Sequence, residues 1–444
     1  MLQFFEKGLQ YSGENISADS YLMRKIIEAA IPSADKGTVS AEKMLGMVNP
    51  NQIEIVSGSE NAYRLIVHKI KEAKKQILIQ AFVWEPGTQV VKDIRNALCD
   101  IKHEVEVFLL VDQLDRWAQV FYHGEKLPKK PKHDPACLGL DNLPQNIKLH
   151  IGTHVHNSIA SNHNKAIWID GDVILTGANF QQENYGPNGF HDAAMFIPGG
   201  AAEAVFYDFK AMWDKRTNKS DAPEISPIYT GQESSTEFYR NTNSCSVLYV
   251  TNTIRQKWAL LPFYRAPLPE DPLNNAYMAA IKYAKHTIRI AVPNLNSPEI
   301  IHALADFINN RNGHVYLLMG KGFNDFRERF YGGTNQSSID YFSSLLDEDR
   351  QNNLQVRWFH RVNDNEISMK KEVIHMKFMS IDGQVVIYGS SNLDLLSLHN
   401  SHETNIVIDN ADFAQRAIEQ LYLPIFETSI PVLISPKRTC FVCS

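Results

Sequence analysis

The chain has 444 residues, 44% hydrophobic and 21% charged, which is ordinary for a folded soluble protein and enough for two or three domains or one large duplicated one. A formal net charge of −6 argues against a general polyanion binder, and five cysteines without a repeated spacing argue against a disulfide framework or a zinc array. No apolar run approaches the roughly 18–20 residues of a membrane span, and the start Met1-Leu2-Gln3-Phe4-Phe5 lacks the marks of a signal peptide, so a soluble chain is expected.

Residues 1–50 read as an N-terminal helical extension. Their one helix, around 21–31, has apolar positions 22, 23, 26, 27, 30 and 31 on one face. That face suits packing on the body of the protein; lying on a membrane is the alternative. A second amphipathic helix opens at Asn61-Ala62-Tyr63 with Ser59 as its N-cap, and a buried strand follows over 77–83. Another helix, an apolar strand over 105–111 and a strand near 165 complete a first half, 51–216. Residues 217–272 read as a structured connection. The same grammar then returns: Asn275-Ala276-Tyr277 opens a helix, strands follow over 288–292 and 315–319, and the second half closes near 430. Helix and strand alternating in this way predict an α/β half built twice, 273–430 repeating 51–216, with a tail at 431–444.

Each half ends on one short pattern. His163-Asn164-Lys165 is followed by four residues and then Asp170-Gly171; His375-Met376-Lys377 is followed by four and then Asp382-Gly383. Six residues separate each Asp from a further glycine, Gly177 and Gly389. On a strand, His-x-Lys puts imidazole and ammonium on one face, because side chains alternate. An imidazole beside a cation, met twice, suits a site that attacks and holds an anionic phosphoryl group. Asp170 and Asp382 stand five residues past the lysine, an odd offset that turns them to the opposite face. A structural role at the strand-to-turn junction is expected for both.

Further matches surround the motifs: Gly389-Ser390-Ser391-Asn392-Leu393-Asp394, Ser397, Asn400 and Glu403 in the second half, and Thr176-Gly177 and the run from His191-Asp192 to Trp213 in the first. With these, residues 53–430 resemble the phospholipase D superfamily and are most similar to its cardiolipin synthase and bacterial phospholipase D branch. The resemblance implies two pseudo-symmetric halves, each a mixed β-sheet flanked by helices, with the active site at their interface. It also implies a two-step reaction through a covalent phosphohistidine, with His163 as nucleophile and His375 as general acid and then base. The residues alone leave that polarity open, because the halves mirror each other. Lys165 and Lys377 would bind the non-bridging phosphate oxygens, with Ser390 and Asn392 as neutral donors, so no metal or cofactor is expected.

A carboxylate on the second ring nitrogen commonly orients a catalytic histidine. Asp192 lies 29 residues after His163 and Glu403 lies 28 after His375, and the resemblance implies that each pairs with the histidine of its own half. One departure stands out. Asn392 lies 17 residues after His375, whereas that slot in the first half is Phe180 and Asn179 comes one position early. A one-residue slip turns a side chain away unless a turn or bulge restores it; the expectation is that Asn179 still reaches the phosphate.

The substrate expected from this resemblance is a glycerophospholipid at a membrane surface, its headgroup cleaved or exchanged. A cardiolipin-synthase-like phosphatidyl transferase and a metal-independent nuclease are the alternatives. A cardiolipin synthase proper usually carries N-terminal membrane helices, which favours a soluble enzyme, cytoplasmic or exported by a non-classical route, that visits membranes. With 44 Lys+Arg against 50 Asp+Glu, nucleic acid is the less expected partner. Trp84, Trp117, Phe121, Tyr122, Phe323, Phe326, Phe330 and Tyr331 follow strands and are read either as a lipid-facing rim or as core anchors. Lys126, Lys129, Lys130 and Lys132 form a basic cluster, read as a solvated loop or a headgroup contact. Cys440 and Cys443 are candidates for lipidation in a tail more simply read as unmodified. Both motifs lie in one chain, so a monomer suffices for a whole site.

Overall fold

The computed structural model describes residues 19–112, 134–154, 160–185, 189–216, 223–227, 244–255, 267–321, 333–361 and 373–433. Two mixed sheets carry it. The first has the order β2 (Glu54–Ser57), β8 (Ala193–Pro198), β7 (Asp172–Thr176), β6 (Ala166–Ile169), β3 (Gln76–Ala81), β4 (Val105–Asp112) and β5 (Ile147–His154). The second has the order β1 (Leu45–Val48), β9 (Cys245–Thr251), β15 (Thr404–Asp409), β14 (Val385–Gly389), β13 (Phe378–Ile381), β10 (Thr287–Val292), β11 (His314–Met319), β12 (Leu354–Trp358) and β16 (Ile430–Pro431). In each sheet three successive strands are parallel, β3-β4-β5 and β10-β11-β12, and the other ladders are antiparallel. The duplication expected from the sequence is thus present: each strand of the first sheet has a counterpart in the second, which adds β1 and β16 at its edges.

Helices fill the β3–β4 and β10–β11 crossovers that parallel neighbours require. The described α-helices that matter here are α1 (Tyr21–Ala30), α2 (Ser59–Lys71), α3 (Gln89–Asp100), α4 (Ala202–Asp214), α5 (Pro272–Tyr283) and α6 (Pro298–Arg311). Alternation along the strands sorts the core into two layers. Ile77, Ile79, Val107 and Leu109 face the layer beneath α2 and α3. Leu78, Phe108, Leu110 and Trp168 face a second layer, continuous through α4 with the core of the second half.

Two segments sit elsewhere than sequence grammar placed them. Residues 19–50 are part of the second half: α1 packs on α5, burying Leu22, Met23, Ile26, Ile27 and Ala30, and β1 pairs with β9. Burying such aliphatic side chains contributes about 1.5–3 kcal/mol each, which explains why this apolar face is packed rather than free for a membrane. The segment 217–272 contributes β9, which flanks β15 just as β2 flanks β8, so the second repeat starts inside it. At finer grain, the N-cap of α2 is Gly58, with φ of 89°, rather than Ser59. The Ser59 hydroxyl instead donates to the Phe190 carbonyl. Among the described residues no helix is long and apolar enough to cross a membrane.

Candidate active site

The two His-x-Lys segments are extended lead-ins rather than parts of a strand: β6 begins at Ala166 and β13 at Phe378, just past each lysine. They meet where the halves exchange backbone contacts. Asn162 bridges His402 and His191 bridges Ile374, so the His163 N–H donates to the His402 carbonyl at 2.9 Å and the His375 N–H to the His191 carbonyl at 2.7 Å. This register sets each histidine beside the residue that follows its partner, and that residue is a carboxylate. His163 Nδ1 lies 2.7 Å from Glu403 Oε1, and His375 Nδ1 lies 2.8 Å from Asp192 Oδ2.

The pairing is therefore crossed. Each carboxylate serves the histidine of the other half, not that of its own half as the family resemblance implies. Spacing along one chain reports the β-strand repeat; the interface between halves decides the partner.

Close approach explains Gly177. A Cβ there would stand 2.4 Å from Asp192 Oδ1 and 2.9 Å from the His375 carbonyl oxygen. Lys165 and Lys377 are buried within the same cluster, each within electrostatic reach of the other and of Asp192 and Glu403. Lys165 Nζ donates to the His163 carbonyl at 2.6 Å, and Lys377 Nζ lies 2.9 Å from His375 Nδ1. The imidazole of His163 stands against Phe82 with ring centroids 4.5 Å apart, and that of His375 against Phe190 at 5.8 Å.

Burial and two ammonium groups govern the titration. Desolvation first, then Lys165 and Lys377, hold His163 well below the ordinary imidazole value. The same causes, Lys377 foremost among the charges, push His375 down to about 3. Lys377 is pushed down to about 8 by burial. The two carboxylates differ: burial lifts Glu403 to about 7, whereas Asp192, despite its burial, is held below the usual carboxylate range by its hydrogen bond to His375.

The two asparagines align once the turns are compared. In the first half Ile169 pairs with Asp172 across Asp170-Gly171; in the second Ile381 pairs with Val385 across Asp382-Gly383-Gln384. That extra turn residue shifts the rest by one. The Thr176 N–H meets the Lys165 carbonyl just as the Gly389 N–H meets that of Lys377, and Phe180 bridges Trp84 as Leu393 bridges Leu295. Asn179 and Asn392 thus occupy equivalent positions, and the apparent slip is an insertion in a turn. Asn179 is buried and Asn392 half-buried, and neither Oδ1 has a hydrogen-bond partner among the described residues. The Ser390 hydroxyl donates to Glu403 Oε2 at 2.6 Å, which places it behind the carboxylate.

Asp170 and Asp382 sit in the left-handed region, with φ of 52° and 54°, where the β6-β7 and β13-β14 hairpins turn. The Asp170 carboxylate accepts from the N–H groups of Lys74, Lys75 and Gln76, and that of Asp382 from Lys285, His286 and Thr287. Each clamps the entry to β3 or β10, at the end of the motif strand away from the lysine.

Of the aromatic residues considered for a rim, Trp84 is a core anchor: it is 2% exposed, its Nε1 donates to the Leu138 carbonyl at 2.9 Å, and its ring stands against Phe180. Trp117, Phe121, Tyr122, Phe323, Phe326, Phe330 and Tyr331, the lysines at 126, 129, 130 and 132, and Cys440 and Cys443 lie outside the described residues. No motif marks Phe82 or Asn252, whose Oδ1 accepts the Glu403 N–H at 2.7 Å.

Two strand-matched halves, each giving a histidine, a lysine and a carboxylate to one buried cluster, define a duplicated α/β phosphodiester-type site. The family model described as "Cardiolipin synthase, PLD-like domain" matches residues 66–213 and 277–422, and the chain belongs to this phospholipase D-like family. Cardiolipin synthase A of Pectobacterium carotovorum subsp. carotovorum (strain PC1) is 20% identical over 388 residues, covering 83% of this chain and 68% of that one. Cardiolipin synthase of Geobacillus sp. (strain WCH70) is 23% identical over 386 residues, covering 85% and 67%. Among solved structures, phosphatidylserine synthase of Haemophilus influenzae Rd KW20 superposes with a TM-score of 0.59 at 14% identity, covering 87% of this chain and 89% of that one.

Proposed function

We propose that this enzyme transfers the phosphatidyl group of a glycerophospholipid to water or an alcohol through a covalent intermediate on His163. The observation that carries the reading is the crossed pair of dyads. Each Nδ1 faces a buried carboxylate, and His375 Nε2 stands 3.2 Å from Lys377 Nζ, so a phosphate held by Lys165 and Lys377 would meet the Nε2 edges of the two rings. In the first step the His163 Nε2 lone pair forms the P–N bond. The P–O bond to the leaving group breaks, and His375 gives that oxygen its proton. In the second step His375 takes the proton of the acceptor, whose oxygen forms a P–O bond as P–N breaks.

Both histidines are held low by burial and the lysines, and it is the opposite pKa directions of the two carboxylates that support this polarity. A nucleophile must be neutral, and burial with two lysines keeps His163 so. An acid must be held as imidazolium once the anionic phosphodiester adds its charge, and the ionised Asp192 does that better than a Glu403 that is half protonated near pH 7. Lys165, Lys377 and the amides of Asn179 and Asn392 receive the charge that accumulates on the non-bridging oxygens. Relatives named as cardiolipin and phosphatidylserine synthases favour an alcohol as acceptor. A phospholipid substrate requires the enzyme to visit a membrane surface peripherally, and one chain supplies the whole site.

The test is turnover of mixed glycerophospholipid vesicles in chelator with a primary alcohol present, beside a parallel single-stranded DNA arm. His163-dependent formation of phosphatidyl-alcohol is the expected result. DNA cleavage with inert lipid would overturn the substrate class.

A further inference from the structure

One buried carboxylate close to the site takes no part in this mechanism. Asp208, on α4, is 0% exposed. Its Oδ2 accepts from Asn164 Nδ2 at 2.9 Å and from the Tyr249 hydroxyl at 3.1 Å. Its Oδ1 accepts from the Thr38 hydroxyl and lies 3.1 Å from His402 Nε2. The other nitrogen of that ring, Nδ1, lies 2.7 Å from the Asn252 carbonyl oxygen. With a carboxylate 3.1 Å from one ring nitrogen and a carbonyl facing the other, the site favours the charged ring: despite burial, Asp208 raises the His402 pKa above the ordinary imidazole value.

The partners of Asp208 flank the reacting histidine on both sides. Asn164 stands between His163 and Lys165, and its Oδ1 accepts from the Thr404 hydroxyl at 2.6 Å. The His402 carbonyl takes the His163 N–H, and the next residue, Glu403, holds the His163 ring. Asp208 is therefore tied to the two chain segments that fix His163 and Glu403.

The other half is built differently at matched positions. Met376, fully buried, replaces Asn164, and Gly58, whose N–H meets the Asp192 carbonyl, replaces Asn252. His191, the counterpart of His402, has its Nε2 3.2 Å from the Ser57 hydroxyl and its ring against Phe359. The fold thus manages this location once with a neutral histidine packed on a ring and a hydroxyl rather than with a buried ion pair. A buried ion pair seldom stabilises more than such packing does, so stability alone does not account for Asp208 and His402.

We propose that Asp208 is a positioning residue: paired with His402, it fixes Asn164 and Glu403 on either side of His163 and so makes the two pseudo-symmetric histidines unequal. The inference rests on the phosphohistidine mechanism proposed above. Asp208→Asn keeps the size and loses the charge; Asn164→Met copies the other half and leaves the charge in place. For each, kcat and KM of phosphatidyl transfer, the melting temperature, and the ¹⁵N imidazole spectrum of the full chain without substrate would be measured. The expected result for Asp208→Asn is a fall in kcat of about 10- to 100-fold, the range for losing an outer hydrogen-bond partner of a reacting group, with KM within about twofold. His402 should pass from two protonated nitrogens to one, and the loss should be non-additive with that of Glu403→Gln. Asn164→Met should lower kcat in the same sense. Unchanged kcat in both variants, additive losses that track the melting temperature, or a neutral His402 in the wild type would overturn the proposal. If the wild type transfers no phosphatidyl group the function reading fails, whereas the His402 spectrum and the response of the His163 resonances to Asp208→Asn still decide this inference.

Discussion

Replacing Glu403 by Gln should make the protein more stable and less active at once. The carboxylate is fully buried, and burial lifts it from its ordinary 4.5 to about 7. That displacement corresponds to roughly 3 kcal/mol that the ionised form costs the fold. The folded state keeps this proton longer than the unfolded state. Stability from this group is therefore greatest below about pH 4.5, falls as pH rises to about 7, and carries the full cost above it. Gln mimics the protonated carboxyl, so at pH 8 the variant should melt higher by a few degrees, and near pH 4.5 the two proteins should melt alike. Activity should move the other way. As phosphorus bonds to His163, the ring gains positive charge, and the Nδ1 contact of 2.7 Å to Oε1 becomes a charge-assisted hydrogen bond. Exchanging it for a neutral one costs about 1–1.5 kcal/mol in the transition state, or roughly tenfold in kcat. Melting curves at pH 4.5 and 8 beside steady-state kinetics test both signs. A variant that melts lower at pH 8, or that keeps full kcat, would refute the reasoning.

Other perturbations separate chemistry from scaffold. His163→Ala and His375→Ala should each abolish turnover while chelators leave the wild type intact; chelator-sensitive turnover would count against lysine-based charge stabilisation. Asp170→Ala removes the acceptor of three backbone N–H groups and should cost about 2–4 kcal/mol of stability in denaturant titrations, with kcat per folded molecule preserved. Lys377, pushed down to about 8, loses its charge in the free enzyme as pH rises through that value, so kcat/KM should fall on an alkaline limb near pH 8. A kcat/KM flat to pH 10 would remove Lys377 from the phosphate site.

The fold was legible because duplication repeats a whole α/β grammar, and the motif residues because two His-x-Lys patterns carry matching Asp-Gly turns. What escaped the sequence was set by contacts between halves. The crossed pairing of Glu403 with His163 and Asp192 with His375 follows from the Asn162–His402 and His191–Ile374 bridges, which no spacing along the chain encodes. The position of Asn179 was obscured by one extra turn residue after Asp382. Residues 19–50 read as an extension, yet they build α1 and β1 onto the second half, because an edge strand and an amphipathic helix reveal no partner in their own sequence. Asp208 lay within the run that resembles the family, with no motif to mark it as the partner of His402.

The most direct measurement is mass spectrometry of His375→Ala protein quenched after brief exposure to glycerophospholipid vesicles in chelator, with His163→Ala protein treated in parallel. A phosphatidyl adduct on His163 in the first and no adduct in the second is the predicted result. An adduct on His375 in the His163→Ala protein, with none on His163 in the other, would reverse the polarity assigned to the two dyads.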